Sequence, residues 1–351
     1  MRKAVRAFLT GAAAAGLGTA GAVIAGRTSV RRHRARPDPE AGEDFGVLPP
    51  EDLGPIASFD GTRLAVRAAG PEGAPAILFT HGITLDMTTW HYQWRTFSER
   101  YRCVLFDHRS HGRSAPPATA DYSLPAAGRD IRAVLDRAVP NGPVVLVGHS
   151  MGGMAILSFA DQYPGEFGER VAGVVLVDTA ASDIVREFLG VVGSRVERRL
   201  RPFTDRALWD RPERAELIRS AMHRWGRDLA FLMARTSNFG PEASAAQIDY
   251  VTRLSTGAPI EVWTQMLRGL MEMDLRDALA SITVPSLVIV GDRDTLTPKT
   301  SARAIADALP DARAIVLTRA GHVAMMERHD LFNDLFGRYL EDVLPRARAA
   351  G

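Results

Sequence analysis

A serine stands in a sequence context that suits a nucleophile. Ser150 is central in Gly148-His-Ser-Met-Gly152, a G-x-S-x-G pattern that follows an apolar run starting at Val144. Where a strand reverses sharply into a helix, this pattern holds the serine in a strained conformation and lifts its hydroxyl above the sheet. Gly148 and Gly152 suit the turn because side chains there would collide as the helix folds back. The pattern predicts a nucleophilic Ser150; the alternative is a serine that only caps a helix.

A serine hydroxyl becomes a good nucleophile only when a base takes its proton. The sequence has nine histidines, and the one best placed to act as this base is His322, in Thr318-Arg-Ala-Gly-His322. It follows the last apolar run of the chain, so it is expected at the same sheet edge as Ser150. His149 is next to the serine but should point away from it. The alternative for His322 is an ordinary surface histidine.

The base in turn needs a carboxylate, which fixes its tautomer and stabilises the imidazolium. The run from Ser286 ends in Gly291-Asp-Arg-Asp294, and Asp294 is the predicted carboxylate. Asp292 and Asp178, which ends an earlier apolar run, remain alternatives. The predicted order along the chain is therefore Ser150, Asp294, His322.

Acyl transfer also needs donors for the oxyanion that develops in the transition state. Phe79-Thr-His81-Gly82-Ile83 closes an early apolar run, and Gly82 allows the backbone to approach the serine. The backbone N–H groups of Ile83 and Met151 are predicted to point at one developing oxygen. Such donors contribute about 3–4 kcal/mol each in the transition state. His81 is expected to stabilise the loop by a hydrogen bond.

The segments that would position these residues alternate between short apolar runs and helical stretches. Most of the runs lack polar alternation, as expected for strands buried on both faces. This alternation predicts an α/β fold, with a mostly parallel central sheet flanked by helices. Ligands of such sheets bind beyond the carboxyl ends of the strands. The predicted strands are Leu64–Ala68, Ala76–Thr80, Cys103–Asp107, Val144–Gly148, Val174–Asp178, Ser286–Gly291 and Ala314–Thr318, and helices are predicted at Ala126–Val139 and Met151–Gln162.

About a hundred residues interrupt the alternation. Residues 180–280 have helical character without a comparable strand, and Val262, Met266, Leu270 and Met273 fall on one helical face. We predict a helical lid inserted into a core of residues 55–179 and 281–345. The alternative for each apolar position is simple packing against the core.

Taken together, the motifs resemble those of the α/β-hydrolase superfamily over roughly residues 55–345. Epoxide hydrolases and haloalkane dehalogenases are similar in fold but place aspartate where Ser150 stands, so the resemblance disfavours their chemistry. Ser110 departs from the pattern, because family members often carry glycine there. The motifs are His81-Gly82 with Trp90 downstream, Asp107-His-Arg-Ser-His-Gly-Arg-Ser114, Gly148-His-Ser-Met-Gly-Gly153, and Gly291-Asp-Arg-Asp294 with Gly321-His322.

The resemblance implies a serine hydrolase, and we expect it to cleave carboxylic esters through an acyl-enzyme on Ser150. The expected substrate is a small ester or a lipid-like molecule, and no cofactor is expected. No metal is expected either: H-E-x-x-H is absent from the sequence, and the single cysteine, Cys103, excludes a thiolate cluster. A C–C bond hydrolase, a cofactor-free perhydrolase or haloperoxidase, and a non-catalytic ligand-binding protein remain alternatives. The sequence leaves the oligomeric state unknown.

The amino terminus differs in composition from the rest. Residues 1–36 hold eight basic and no acidic residues, which leaves 35 basic against 41 acidic residues and a net charge of −6 in the remainder. A negative body argues against nucleic-acid binding. Twenty uncharged residues from Ala7 to Gly26 are long enough to span a bilayer.

We therefore predict that residues 1–36 form a membrane anchor followed by a linker, residues 37–54. Five basic residues after the apolar stretch against three before it place the catalytic body on the cytoplasmic face. Two alternatives are a signal peptide cleaved at Ala20-Gly21-Ala22, with export of the protein, and a soluble protein with a disordered tail.

Overall fold

The computed structural model describes residues 26–182 and 226–350, with side chains up to residue 344. Its centre is an eight-stranded sheet in the order β1-β2-β4-β3-β5-β6-β7-β8. β2 is antiparallel to both of its neighbours, and the other neighbouring strands are parallel. The strands are β1 (Glu51–Ala57), β2 (Arg63–Ala69), β3 (Ala76–Thr80), β4 (Arg102–Phe106), β5 (Val144–His149), β6 (Val171–Val177), β7 (Ser286–Gly291) and β8 (Ala312–Leu317).

Helices cover both faces of this sheet. They are α1 (residues 26–34), α2 (His91–Phe97), α3 (Leu124–Ala138), α4 (Met151–Gln162), α5 (Arg227–Asn238), α6 (Ala245–Gly257), α7 (Leu267–Glu272), α8 (Lys299–Ala308), α9 (Ala324–Glu327) and α10 (His329–Ala350). Short 3-10 turns occupy Met87–Trp90, Pro164–Glu166 and Asp277–Ser281, and a π-helical turn, Val262–Met266, precedes α7.

The apolar strands divide their side chains between two cores. In β3, Ile77 and Phe79 pack in one cluster with Phe332 of α10, whereas Leu78 packs in the other with Ile156 of α4. Successive strand residues point to opposite faces, so a strand covered on both sides must be apolar throughout. The structure confirms the predicted α/β fold class.

The first strand was not predicted from the sequence. β1 starts at Glu51, inside the segment predicted as a linker, and it contains Gly54 and Pro55. Its pairing with β2 shifts register between Asp52 and Pro55. An irregular edge strand of this kind tolerates proline and lacks a clear apolar pattern.

The chain leaves the core after β6 and returns to it before β7 through a short paired stem, and we call the segment between them the insertion. Ser182 pairs with Asp274, and the Leu275 N–H donates to the Ala181 carbonyl at 2.8 Å. From residue 226 to the stem the insertion contains α5, α6 and α7, and none of the eight sheet strands lies in this described part. Residues 183–225 of the predicted lid lie outside the described residues.

The predicted membrane localisation is wrong. No helix within residues 26–182 and 226–350 is long and apolar enough to cross a bilayer. The predicted spanning segment, residues 7–26, lies outside the described residues except for Gly26. The basic flank that follows it packs against protein: in α1, Val30 is buried and Arg34 pairs with Asp228 and Asp249.

Residues between α1 and β1 also contact the body. Asp38 accepts a hydrogen bond from the Ala246 N–H at the start of α6, at 2.9 Å. Glu43 bonds to His91 at 2.9 Å, and Phe45 stacks on Tyr250 with ring centroids 5.0 Å apart. This stretch therefore lies along α6 and α2.

Candidate active site

Ser150 stands at the junction of β5 and α4 in a strained conformation, with φ 51° and ψ −118°. Its neighbours explain how the turn closes. A Cβ atom at Gly148 would lie 2.6 Å from the Gly153 nitrogen, and one at Gly152 would lie 2.4 Å from the Thr80 carbonyl oxygen. Backbone segments meet here at distances that only glycine allows, so the serine is held between strand and helix.

His322 follows β8 and reaches the serine. Its Nε2 lies 3.0 Å from Ser150 Oγ, and Ser150 and His322 are each 6% exposed. His149 points away from the nucleophile, as predicted, and its Nε2 bonds to the His322 carbonyl at 2.7 Å. His149 therefore helps to hold the loop that carries His322.

Asp294 follows β7 and lies on the far side of His322. Its Oδ2 is 2.8 Å from His322 Nδ1 and also accepts a hydrogen bond from the Thr297 hydroxyl at 2.7 Å. Its Oδ1 accepts the N–H groups of Leu296 and Thr297 at 2.8 and 3.0 Å. Two backbone donors and a hydroxyl thus orient this carboxylate toward the imidazole.

Asp294 and His322 each stabilise the charged form of the other. Burial alone would raise the pKa of Asp294, but the adjacent His322 and the Thr297 hydrogen bonds hold it below its usual range. Burial alone would lower the pKa of His322, but Asp294 outweighs this effect and raises it. The ionised carboxylate is therefore favoured beside an imidazole that gains a proton readily.

The two other candidate carboxylates have different partners. Asp178 accepts the backbone N–H groups of Gly291 and Ala324 at 2.8 and 2.9 Å, so it braces the loops on either side of the site. Burial, with the nearby charge of Asp294, raises its pKa to about 7. Asp292 accepts the Arg319 N–H at 2.6 Å instead of bonding to His322.

The turn after β3 lies against the nucleophile. A Cβ atom at Gly82 would lie 3.2 Å from Ser150 Cβ. The Gly82 carbonyl is held by His81 Nδ1 at 2.8 Å and by the Leu85 N–H at 3.3 Å. The Ile83 N–H belongs to the same planar peptide and points the opposite way. Fixing the carbonyl therefore fixes the direction of this donor. Met151, the other predicted donor, is the first residue of α4.

Neutral imidazoles hold this turn. His81 Nε2 accepts the His108 N–H at 3.0 Å, so its Nδ1 carries the proton that reaches Gly82. Burial lowers the pKa of His81 to about 4. His111 acts in the same way: its Nε2 accepts the Thr84 N–H at 3.1 Å. Thr84 has φ 63°, an uncommon value for a β-branched residue.

Ser110, the departure from the family pattern, also has a positive φ, 62°. Glycine reaches this conformation without steric cost, and here the serine adopts it. The loop is closed by the Ser110 N–H, which donates to the Ala115 carbonyl at 3.0 Å. The departure therefore leaves the predicted turn in place.

The insertion packs next to Ser150 through α6, the π-helical turn and α7. Met266 and Leu270 pack in one cluster with Met151 and Met154 of α4, and Ile83 lies against the same cluster. The predicted apolar face of the insertion thus packs directly on the helix that follows the nucleophile. On α6, Ser255 accepts a hydrogen bond from the Thr84 hydroxyl at 3.2 Å.

Three residues with a structural role at the site were not singled out from the sequence. They are Thr297, which bonds to Asp294; His111, which holds Thr84; and Glu327, which accepts the Gly321 N–H at 2.7 Å. Thr297 lies in a turn that begins at Asp294, where an aspartate commonly accepts the N–H two residues on. His111 acts on Thr84 across 27 residues, and Glu327 also reaches Gly240 across 87 residues.

Comparisons with known proteins show what the chain as a whole is similar to. The chain is 24% identical over 288 residues to 3-oxoadipate enol-lactonase 1 of Acinetobacter baylyi, covering 82% of this chain and 97% of that protein. It is 28% identical over 294 residues to a proline iminopeptidase of Pestalotiopsis fici, covering 82% of this chain and 99% of the relative. The solved structure of an esterase from Exiguobacterium antarcticum matches with a TM-score of 0.64 and 25% identity, covering 82% of this chain and 99% of that one.

The family model described as the alpha/beta hydrolase fold matches residues 75–329. This range contains Ser150, Asp294 and His322, together with the described part of the insertion. Because the match spans well over half of the sequence, the chain belongs to the α/β hydrolase fold family.

Proposed function

We propose that this protein hydrolyses carboxylic esters, with Ser150 as nucleophile, His322 as general base and Asp294 as its carboxylate partner. The observation that carries the proposal is one continuous chain of hydrogen-bonding distances. Ser150 Oγ lies 3.0 Å from His322 Nε2, and His322 Nδ1 lies 2.8 Å from Asp294 Oδ2. These are the contacts that a serine–histidine–aspartate relay requires.

In the first half of the reaction, Ser150 Oγ attacks the acyl carbon while His322 Nε2 takes the hydroxyl proton. The tetrahedral intermediate then collapses, and the bond to the leaving alcohol oxygen breaks. His322 returns the proton to that oxygen, so an alcohol leaves and an acyl-enzyme remains. Asp294 stabilises the imidazolium between the two proton transfers.

In the second half, a water molecule attacks the acyl-enzyme and His322 takes the water proton. Collapse of the second intermediate breaks the bond to Ser150 and releases the carboxylic acid. The proton returns to the serine oxygen, which restores the starting state. In both halves the N–H groups of Ile83 and Met151 stabilise the oxyanion.

The walls around the nucleophile favour an uncharged acyl group. Met154, Met266 and Leu270 form one apolar cluster with Met151, the residue after Ser150, and Ile83 packs against it. Burying a charged acyl group against these side chains would cost free energy, whereas burying an apolar one would gain it. The relatives named as an enol-lactonase and an esterase support ester cleavage, because lactones and open esters both react by acyl transfer.

Replacement of the nucleophile tests the proposal. We expect Ser150→Ala to lower kcat on p-nitrophenyl esters by about 10⁴–10⁶-fold and to abolish labelling by a fluorophosphonate probe. Ser158→Ala on the same helix is the matched control and should retain both properties. Ester turnover or labelling that survives in Ser150→Ala at the wild-type rate would refute the assignment.

An acyl-chain series tests the substrate class. The wild-type protein should prefer butyrate or longer p-nitrophenyl esters over the acetate, because a longer chain buries more apolar surface in the cluster. A preference for acetate, or for acyl groups that carry a carboxylate, would contradict an apolar acyl site.

A further inference from the structure

The loop that carries His322 rests on the insertion. Residues 319–322 and residues 238–240, the stretch after α5, form what we call the base–insertion junction. The His322 N–H donates to the Asn238 carbonyl at 2.7 Å, so the backbone of the base itself is bonded to the insertion.

The two segments of the junction meet backbone to backbone. A Cβ atom at Gly321 would lie 2.6 Å from the Asn238 carbonyl oxygen, and a Cβ atom at Gly240 would lie 2.4 Å from the Arg319 carbonyl oxygen. Neither glycine has a positive φ. Both are therefore required by the closeness of the two segments and not by an unusual conformation of their own.

Glu327, the last residue of α9, bridges the two sides of this junction. Its Oε1 accepts the Gly321 N–H at 2.7 Å, and its Oε2 accepts the Gly240 N–H at 2.6 Å. One oxygen thus holds the residue directly before His322, and the other holds the insertion. Both oxygens of the Glu327 carboxyl group thus act as acceptors, one for each segment.

A second contact fixes the same turn. Gln247, on α6 of the insertion, donates its Nε2–H to the Met326 carbonyl at 2.8 Å. The residue before Glu327 is thus also tied to the insertion, which leaves the Glu327 side chain little freedom to follow one segment and release the other.

We propose that Glu327 is a positioning residue of this hydrolase: its carboxyl group locks the loop of His322 to the insertion, so that the base is in register with Ser150 only while the insertion is seated. The inference rests on the proposed role of His322. It assigns to Glu327 no contact with substrate.

The charges around Glu327 bear on the same point. Asp178 and Asp294 both face it, and burial with these charges raises its pKa to about 8. Glu327 in turn raises the pKa of His322, although Asp294 has the larger effect. Because Glu327 holds its proton up to about pH 8, its replacement at neutral pH should change the placement of the base more than the charge around it.

Two variants test this role of Glu327 in the full-length protein. Glu327→Gln keeps the shape of the side chain but places an NH₂ group against a backbone N–H donor. Gly240→Ala keeps the carboxylate and pushes the segments apart. The matched controls are Glu261→Gln, at an exposed glutamate of the insertion outside the junction, and Gly257→Ala, where a Cβ atom meets no atom within 4 Å.

We expect both junction variants to lower kcat on a p-nitrophenyl ester by about tenfold or more, since small displacements of a catalytic group are costly. KM should change by less than about threefold, because the acyl wall is intact. The acidic limb of the kcat/KM profile should stay in place in both variants, because Glu327 is protonated below about pH 8 and its replacement removes little charge there. Both controls should remain within about twofold of wild type.

Wild-type kcat in a folded Glu327→Gln, or an equal loss in Glu261→Gln, would overturn the inference. An unfolded Glu327→Gln leaves Gly240→Ala to decide, by the same kcat and KM measurement. If the wild-type protein neither hydrolyses esters nor reacts with a fluorophosphonate, the proposed function itself fails. Ester turnover that depends on Ser150 but not on Glu327 contradicts only this inference.

Discussion

At the scale of single residues, the arrangement depends on Ser150 and Asp294, and each is held in a state that costs free energy. A non-glycine residue in a conformation such as that of Ser150 costs about 1–3 kcal/mol, and it persists only when its surroundings impose it. Here the close approaches at Gly148 and Gly152 impose it. Surrounding groups also stabilise Asp294. It stays ionised although it is buried, because backbone N–H groups and the Thr297 hydroxyl donate hydrogen bonds to its oxygens.

The pH dependence of catalysis follows from the state of His322. Only the neutral imidazole can take the serine proton, and Asp294 raises the pKa of this histidine above 6.5. We therefore expect kcat/KM to fall as the pH drops through an apparent pKa above 6.5. Asp294→Asn should lower kcat by about 10⁴-fold and move this limb to lower pH. A pH profile of each protein provides the measurement. An unchanged limb in Asp294→Asn would assign it to another group.

At the scale of elements, one turn organises the proposed oxyanion site. His81 bonds to both the Gly82 carbonyl and the His108 N–H, so it sets the direction of the peptide that bears the Ile83 N–H. His108 lies next to it, with ring centroids 4.7 Å apart, but its ring nitrogens have no hydrogen-bond partner among the described residues. The His81 imidazole therefore fixes the turn by hydrogen bonds, whereas the His108 imidazole contributes only packing.

This difference gives a matched pair of variants. His81→Phe should release the Gly82 carbonyl and lower kcat by about 10–100-fold, less than the complete loss of an oxyanion donor. His108→Phe should keep kcat within about threefold and should not reduce the stability, because it removes unpaired polar atoms from a buried place. Steady-state kinetics and thermal unfolding of both variants check this. Equal losses of kcat would show that the cluster acts only through packing.

At the scale of the whole molecule, buried ionisable groups shape the stability. His81, His111 and His149 have pKa values lowered by burial to about 4, 3 and 3, so they are neutral in the folded protein and protonate more readily when unfolded. Asp178 and Glu327 have pKa values raised to about 7 and 8, so the folded protein holds their protons more tightly.

These shifts predict a maximum of stability near pH 6.5. Below this pH the unfolded histidines bind more protons than the folded ones, so stability falls with acidification. Above it, the stability that Asp178 and Glu327 contribute below their unfolded pKa values is lost as the pH rises through about 7 and 8. Thermal unfolding from pH 4.5 to 9 measures the curve. In Glu327→Gln the decline above pH 7 should be shallower, and a Tm that keeps rising to pH 9 would contradict the argument.

Local patterns in the sequence contained much of the catalytic arrangement. G-x-S-x-G between a strand and a helix predicts where Ser150 stands, because the glycines that the turn needs are sequence neighbours of the serine. Asp294 and His322 follow predicted strands, and parallel strands end at one sheet edge, so their meeting with Ser150 could be inferred from topology. The buried strands were likewise predictable because they are apolar on both faces.

Other features depended on contacts between distant parts of the chain. β1 has an irregular edge pairing that leaves no apolar pattern. The basic residues of α1 resemble a membrane flank in the sequence, but Arg34 finds its partners about two hundred residues away, at Asp228 and Asp249. Spacing along the chain carries no information about such pairs.

The sequence by itself predicted the fold class, the nucleophile turn and the order of the three proposed reactive residues, because the motifs are local and parallel strands end at one sheet edge. Only the tertiary structure separated Asp294 from Asp178 and Asp292, and only it revealed Glu327 as the bridge between base and insertion. The choice among carboxylates is made by which donors surround each one, and those donors come from loops that folding alone brings together.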